Sequence, residues 1–223
     1  MSIHGEAKEQ KNSDSTLIYE VLKEMIVSHT LLPSQRLIEQ ELSKKFNVSR
    51  TPLREALRRL EAEGFVTYTK NRGVFVSYLS PKDVEERFIY FSNLLAFASS
   101  LSVEHLTSNQ INELIEYDDK MRHTTSMSDR VQWVAYNQSF HVTLVSGCPN
   151  KYILSQLTKE GERLWRYWVK AFNLVFDLEV YHQEHREIIE KVVKGDKKGV
   201  YDIVYLHTSR FSDKIMLISK DII

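Results

Sequence analysis

Leu17, Ile18, Val21, Leu22, Met25 and Ile26 recur at three- and four-residue steps, the period of an amphipathic helix. The stretch LLPSQRL breaks that pattern. Leu37, Leu42 and Phe46 then predict a short second helix ending near Asn47, and RTPLREALRRLEA predicts a third, stopped by Gly64. FVTYTKNRGVFVSYL changes period and predicts two short strands around a KNRG turn. SPKD at 80–83 is the expected linker, with Ser80 or Asp83 capping the next helix. Beyond it the periodicity is helical throughout, with helices expected near 83–104, 108–124, 128–147, 150–172, 177–194 and 196–219. Ser108, Ser128, Asn150, Asp177 and Asp196 are the capping candidates, and Gly195 is a stop directly before Asp196. The fold class is mainly α: a winged helix-turn-helix over 15–79, followed by an all-α antiparallel helical bundle over 80–223. Residues 1–14 are polar and aperiodic and are expected to form a flexible tail.

Composition agrees with this division. Hydrophobic residues make up 42% of the 223, enough for a core, while 7 Gly and 4 Pro are too few for a turn-rich β protein. Basic and acidic residues balance at 30 each. The stretch from Arg36 to Arg72, however, carries nine basic and five acidic side chains, so one segment is built to meet an anion. The single cysteine, Cys148, cannot form an internal disulfide. With no signal peptide visible, a cytoplasmic location is expected. No apolar run approaches the roughly 18 residues of a membrane span.

The third predicted helix explains the local charge. At 100° per residue, Leu53, Ala56, Leu57 and Leu60 share a narrow sector, and Arg50, Arg54 and Arg58 lie on the opposite side beside Thr51. Ser49 or Thr51 can cap the start, and Pro52 fits the first turn because its missing N–H would have no helical partner there. A helix N-terminus with free N–H groups next to guanidinium groups is a phosphate site, and Arg also reads guanine in the major groove. A short helix and a tight turn before it make a helix-turn-helix. The hairpin after it would be a wing, with Lys70, Arg72 and Gly73 at its tip placed for backbone phosphate or the minor groove.

LIEQELSKKFNVSRTPLREALRRLEAEGFV, followed by NRGVFV, resembles the winged helix-turn-helix of the GntR family of bacterial transcription regulators. The resemblance covers about residues 15–78. It implies DNA contacts from Ser49, Arg50, Thr51 and Arg54 in the recognition helix and from Arg72 and Gly73 in the wing. Relatives often carry Arg before the Glu-Leu of the second helix; here that position is Gln40.

The helical remainder is similar to the FCD ligand domain of the FadR-type branch, through YNQSFHVTLVSGCPN and HREIIEKVVKGDKKGVYDIVYLH. Asn137 and His141 are four apart on one helix face, with His185 and His207 on two later helices. Three imidazoles inside a bundle can hold Zn²⁺, Ni²⁺ or a similar divalent transition metal, with a position left for an anionic effector. The family usually has Asp where this chain has Asn137, which brings an amide oxygen but no charge. His182 is an alternative ligand. The family's Arg that clamps an effector carboxylate, and the Glu four residues later, are replaced by Phe91 and Leu95. Arg163 and Arg166 are the candidates to bind an effector in their place.

These features predict a homodimeric, effector-responsive transcription regulator, a repressor by the family's habit, bound to a palindromic operator in double-stranded DNA. Two rivals stand beside it. One is a regulator whose bundle is degenerate and binds nothing. The other is a metal-dependent enzyme fused to a DNA-binding head, opposed by the lack of a nucleophile motif and of an acidic residue spaced as a general base beside the histidines. An enzyme is therefore not expected.

Overall fold

The computed structural model describes residues 3–124, 130–172 and 178–222. The chain divides at Ser80/Pro81 into two compact units.

The first unit contains α1 (Ile3–Val27), β1 (Arg36–Leu37), α2 (Glu39–Phe46), α3 (Arg50–Ala62), β2 (Val66–Thr69) and β3 (Gly73–Val76). Residues 3–14, expected as a tail, are helical in the structure and form the first turns of α1. Helical hydrogen bonds are local and extend without an apolar stripe, so the pattern that placed the helix start near residue 15 did not mark this extension. The core gathers Ile18, Tyr19, Leu22 and Ile26 of α1 with Leu42 and with Leu53, Ala56, Leu57 and Leu60 of α3. Leu17 is 65% exposed and Tyr19 takes its place inside. Tyr19 Oη donates to Glu63, and the Arg59 guanidinium lies 3.6 Å above the Tyr19 ring, so this arginine packs between helices.

α2 ends at Asn47, whose left-handed backbone (φ 53°) makes the tight turn into α3. α3 closes at Gly64 (φ 79°), with Gly64 N–H donating to the Glu61 carbonyl and Phe65 N–H to that of Leu60. The sheet has three strands where two were expected. β3 lies in the middle, antiparallel to β2 (Val66 opposite Val76) and to β1 (Arg36 opposite Phe75). A two-residue strand carries no alternation, so periodicity could not reveal β1.

The second unit holds α4 (Pro81–Ser102), α5 (Ser108–His123), α6 (Arg130–Val145), α7 (Lys151–Phe172), α8 (Leu178–Val193) and α9 (Lys197–Ile222). α4 packs along α9 and also touches α6 and α7, α5 lies on α6 and α8, and α8 lies on α9. Ser92, Ala96, Ser99 and Ser102 give α4 a buried stripe of small side chains. Asn150 Oδ1 caps α7 by accepting from the N–H groups of Tyr152 and Ile153, and Asp196 Oδ1 caps α9 by accepting from Gly199 N–H. α5 is capped by Thr107 rather than Ser108, in a reciprocal box with Gln110. Ser128 and Asp177 lie outside the described residues.

Gly147, just after α6, sits against the end of α4. A Cβ there would lie 2.7 Å from Ser102 Oγ and 2.8 Å from the Ser102 carbonyl oxygen. Backbone cannot yield as a side chain can, so Gly147→Ala is expected to destabilise the protein by about 1–3 kcal/mol. Urea unfolding checks this, and an unchanged midpoint would refute the close packing.

Candidate functional site

Two sites emerge, one in each unit. In the first, Ser49, Arg50, Thr51, Arg54 and Arg58 are all exposed along α3, opposite the buried Leu53–Leu60 stripe. Ser49 occupies the N-cap position, but its hydroxyl makes no capping bond. The first-turn N–H groups are therefore not satisfied by that side chain and point toward any anion placed there. Arg54 Nε donates to Glu39 Oε2 of α2 at 2.8 Å. At the wing, Lys70, Arg72 and Gly73 are exposed, with Gly73 at φ 97°. The Arg36 guanidinium crosses beside Gly73, its Nε and Nη2 3.7 Å from where a Cβ would stand. Arg36 reaches the wing tip only through β1, so its place was not visible in the sequence, nor was the Glu39 partner of Arg54.

In the second unit His141 (α6), His185 (α8) and His207 (α9) converge. Their donor nitrogens all lie within 4.8 Å of one another. His141 Nε2 and His207 Nε2 are 3.2 Å apart. The ring centroids of His185 and His207 are separated by 4.7 Å, and those of His141 and His185 by 5.6 Å. His185 is fully buried, and neither of its nitrogens has a hydrogen-bond partner; His141 Nδ1 and Asn137 Oδ1 are likewise buried and unsatisfied. Burial holds the His185 imidazole well below its ordinary pKa, helped by the neighbouring His207, His141 and His182. It is therefore neutral near pH 7, the state in which an imidazole can ligate a metal.

His207 Nδ1 lies 2.9 Å from Glu184 Oε2, and Arg210 Nε donates to the other carboxylate oxygen at 2.8 Å. Burial alone would raise the Glu184 carboxyl, but His207 and Arg210 bring it below its ordinary value. A carboxylate on Nδ1 fixes that nitrogen as the donor and leaves the Nε2 lone pair facing His141. Asp118 of α5 also approaches, 3.7 Å from His182 Nδ1 and 4.0 Å from His185 Nδ1. Two carboxylates thus accompany the histidines, neither of them marked by a general-base spacing in the sequence. Asp118 comes from a distant helix, and Glu184, next to His185 in sequence, points 100° around α8 to another ring. Trp133 is buried against this group, with ring centroids 6.2 Å from His182 and 6.4 Å from His185.

The effector candidates fare differently. Arg163 Nη1 donates to Glu160 Oε1 at 2.7 Å, and Arg87 binds both oxygens of the same carboxylate. The side chain of Arg166 lies outside the described residues. Phe91 sets its edge against Trp168 and Leu95 is buried, so α4 is apolar where the family's clamp would stand.

The family model of bacterial regulatory proteins, gntR family, matches residues 15–76, and that of the FCD domain matches 92–210, more than half the chain. The chain belongs to the GntR family and carries an FCD domain. This regulator is 29% identical over 194 residues to the HTH-type transcriptional regulator YdhC of Bacillus subtilis, covering 85% of each chain. It is 27% identical over 196 residues to the Nta operon transcriptional regulator of Aminobacter aminovorans, covering 86% of this chain and 90% of the relative. It is 25% identical over 202 residues to the transcriptional repressor GlaR of Escherichia coli, covering 85% and 90%. The solved structure of E. coli McbR/YncC shares the fold at a TM-score of 0.73 and 19% identity, covering 93% of this chain and 97% of that one. The regulator therefore binds DNA through its winged helix, and its all-helical second unit holds the FCD domain. Among its described residues no helix is long and apolar enough to cross a membrane.

Proposed function

We propose that the regulator is a homodimeric repressor whose hold on a palindromic operator is set by a ligand of its helical unit, with a divalent transition metal held by His141, His185 and His207. The carrying observation is the convergence of three imidazoles from three helices, with the Glu184 carboxylate orienting His207. The residues fit an ion: the buried nitrogens of His185 and the Asn137 oxygen lack hydrogen-bond partners, which is costly unless something else satisfies them. Bound there, the ion would supply positive charge and an open coordination position for an anionic effector. Asn137 contributes an amide oxygen, so all four protein ligands are neutral and the ion keeps its full charge toward that effector. The name of GlaR as a repressor supports repression here. The exposed Ile89, Tyr90 and Phe97 of α4 offer apolar surface for a second copy. Two copies would present two recognition helices to symmetric half-sites, and a ligand that favours one arrangement of the heads would change operator affinity.

The test combines three measurements: metal content of untagged protein by mass spectrometry, melting temperature with and without EDTA, and titration of an operator selected from random duplex DNA. A stoichiometric ion is expected. At 100 times its Kd an ion stabilises by about 2.7 kcal/mol, or roughly 5–10 °C in Tm. Absence of metal after incubation with Zn²⁺ or Ni²⁺, with Tm and DNA affinity indifferent to EDTA, would leave the histidines structural.

A further inference from the structure

Asp118 and His182 take no part in DNA binding or in the three-histidine site, and with His185, which that site shares, they form a second group. All three are buried, at 4%, 7% and 0% exposure. His182 and His185 are three apart on one face of α8, and Asp118 faces them from α5, which packs on α8. Asp118 Oδ2 accepts from Arg122 at 2.7 Å, which leaves Oδ1 turned to the imidazoles. Oδ1, His182 Nδ1 and His185 Nδ1 have no hydrogen-bond partner. The separations of 3.7 and 4.0 Å are too long for hydrogen bonds. They are close to the spacing of neighbouring ligands around one ion, roughly 3.3–3.6 Å for ligands bound at about 2.0–2.2 Å in a tetrahedron.

We propose that Asp118 Oδ1, His182 Nδ1 and His185 Nδ1 form a second divalent-cation site, suited to Zn²⁺ or Co²⁺, which adjoins the one at His141, His185 and His207 and shares His185 with it. A carboxylate with two imidazoles is a common zinc ligand set, and Asp118 supplies the negative charge that Asn137 does not. Arg122 is the outer partner that holds the carboxylate in place. His185 carries two unpartnered nitrogens and belongs to both groups. Where both of its nitrogens ligate, the ring gives up its N–H proton to solvent on binding.

Cobalt is the probe, read by visible absorption and by bound ions per chain on the full-length protein. Asp118→Asn and His182→Gln are expected to remove one equivalent of Co²⁺ and to leave the equivalent that His141→Gln removes. Circular dichroism checks that each variant folds; if Asp118→Asn does not, His182→Gln carries the test. Unchanged Co²⁺ stoichiometry and affinity in His182→Gln and Asp118→Asn would overturn the proposal. So would a single equivalent lost alike in Asp118→Asn and His141→Gln, which would mean one centre that Asp118 merely supports. If His141→Gln changes nothing while Asp118→Asn abolishes binding, this site stands and the three-histidine reading falls.

Discussion

Arg54→Ala is expected to weaken operator binding by roughly 5- to 150-fold, the range for losing one good base contact, while leaving the fold intact. Arg54 is exposed on the recognition helix, opposite the Leu53–Leu60 stripe that holds α3 in place. Removing the guanidinium therefore takes nothing from the core. In the free protein its Nε donates to Glu39, a bond that leaves Nη1 and Nη2 for a base or a phosphate but sets a carboxylate beside the DNA-facing surface. Glu39→Gln removes a negative charge that repels phosphate and is expected to tighten binding, most clearly at low salt where exposed charges are least screened. Fluorescence anisotropy against the selected operator checks both variants. Equal affinity of Arg54→Ala and wild type would take Arg54 out of the contact set.

Glu184→Gln is expected to lower the metal affinity of the three-histidine site by about 10- to 100-fold, the usual cost of altering a ligand's outer carboxylate. Gln has the same size and still offers an oxygen to His207 Nδ1, but it lacks the charge that makes the imidazole a stronger ligand. It also leaves Arg210 facing a neutral amide. A competition titration with a Zn²⁺ indicator reads the change. Affinity equal to wild type would show that Glu184 serves Arg210 alone.

The DNA-binding unit was largely legible because its determinants are local. Leu53, Ala56, Leu57 and Leu60 are spaced by the helix itself, and Asn47, Gly64 and Gly73 mark turns by their backbone freedom. The features that stayed hidden depend on partners distant in sequence. Strand β1 exists because β3 has a free edge, and Arg36 reaches Gly73 only through that pairing. In the helical unit, the three histidines could be expected to meet on the strength of family resemblance. Asp118 could not, because it occupies an ordinary position on an amphipathic helix and only the packing of α5 on α8 brings it to His182. Glu184 was equally hidden, since its neighbour His185 turns to one ring while it turns to another.

β3 is bonded along both edges, to β2 and to β1. The wing is therefore held in shape before any duplex arrives, and its backbone has little conformational freedom to surrender on docking. Ordering a loose hairpin would cost about 1–2 kcal/mol for each residue fixed. Here that entropy has already been lost in folding, and what remains to give up is the rotamer freedom of exposed tip side chains such as Lys70 and Arg72. Arg72 is already partly confined, with its guanidinium 5.7 Å from the Phe75 ring. Such a wing should contribute to affinity mainly through a slow dissociation rate, as preorganised contacts do.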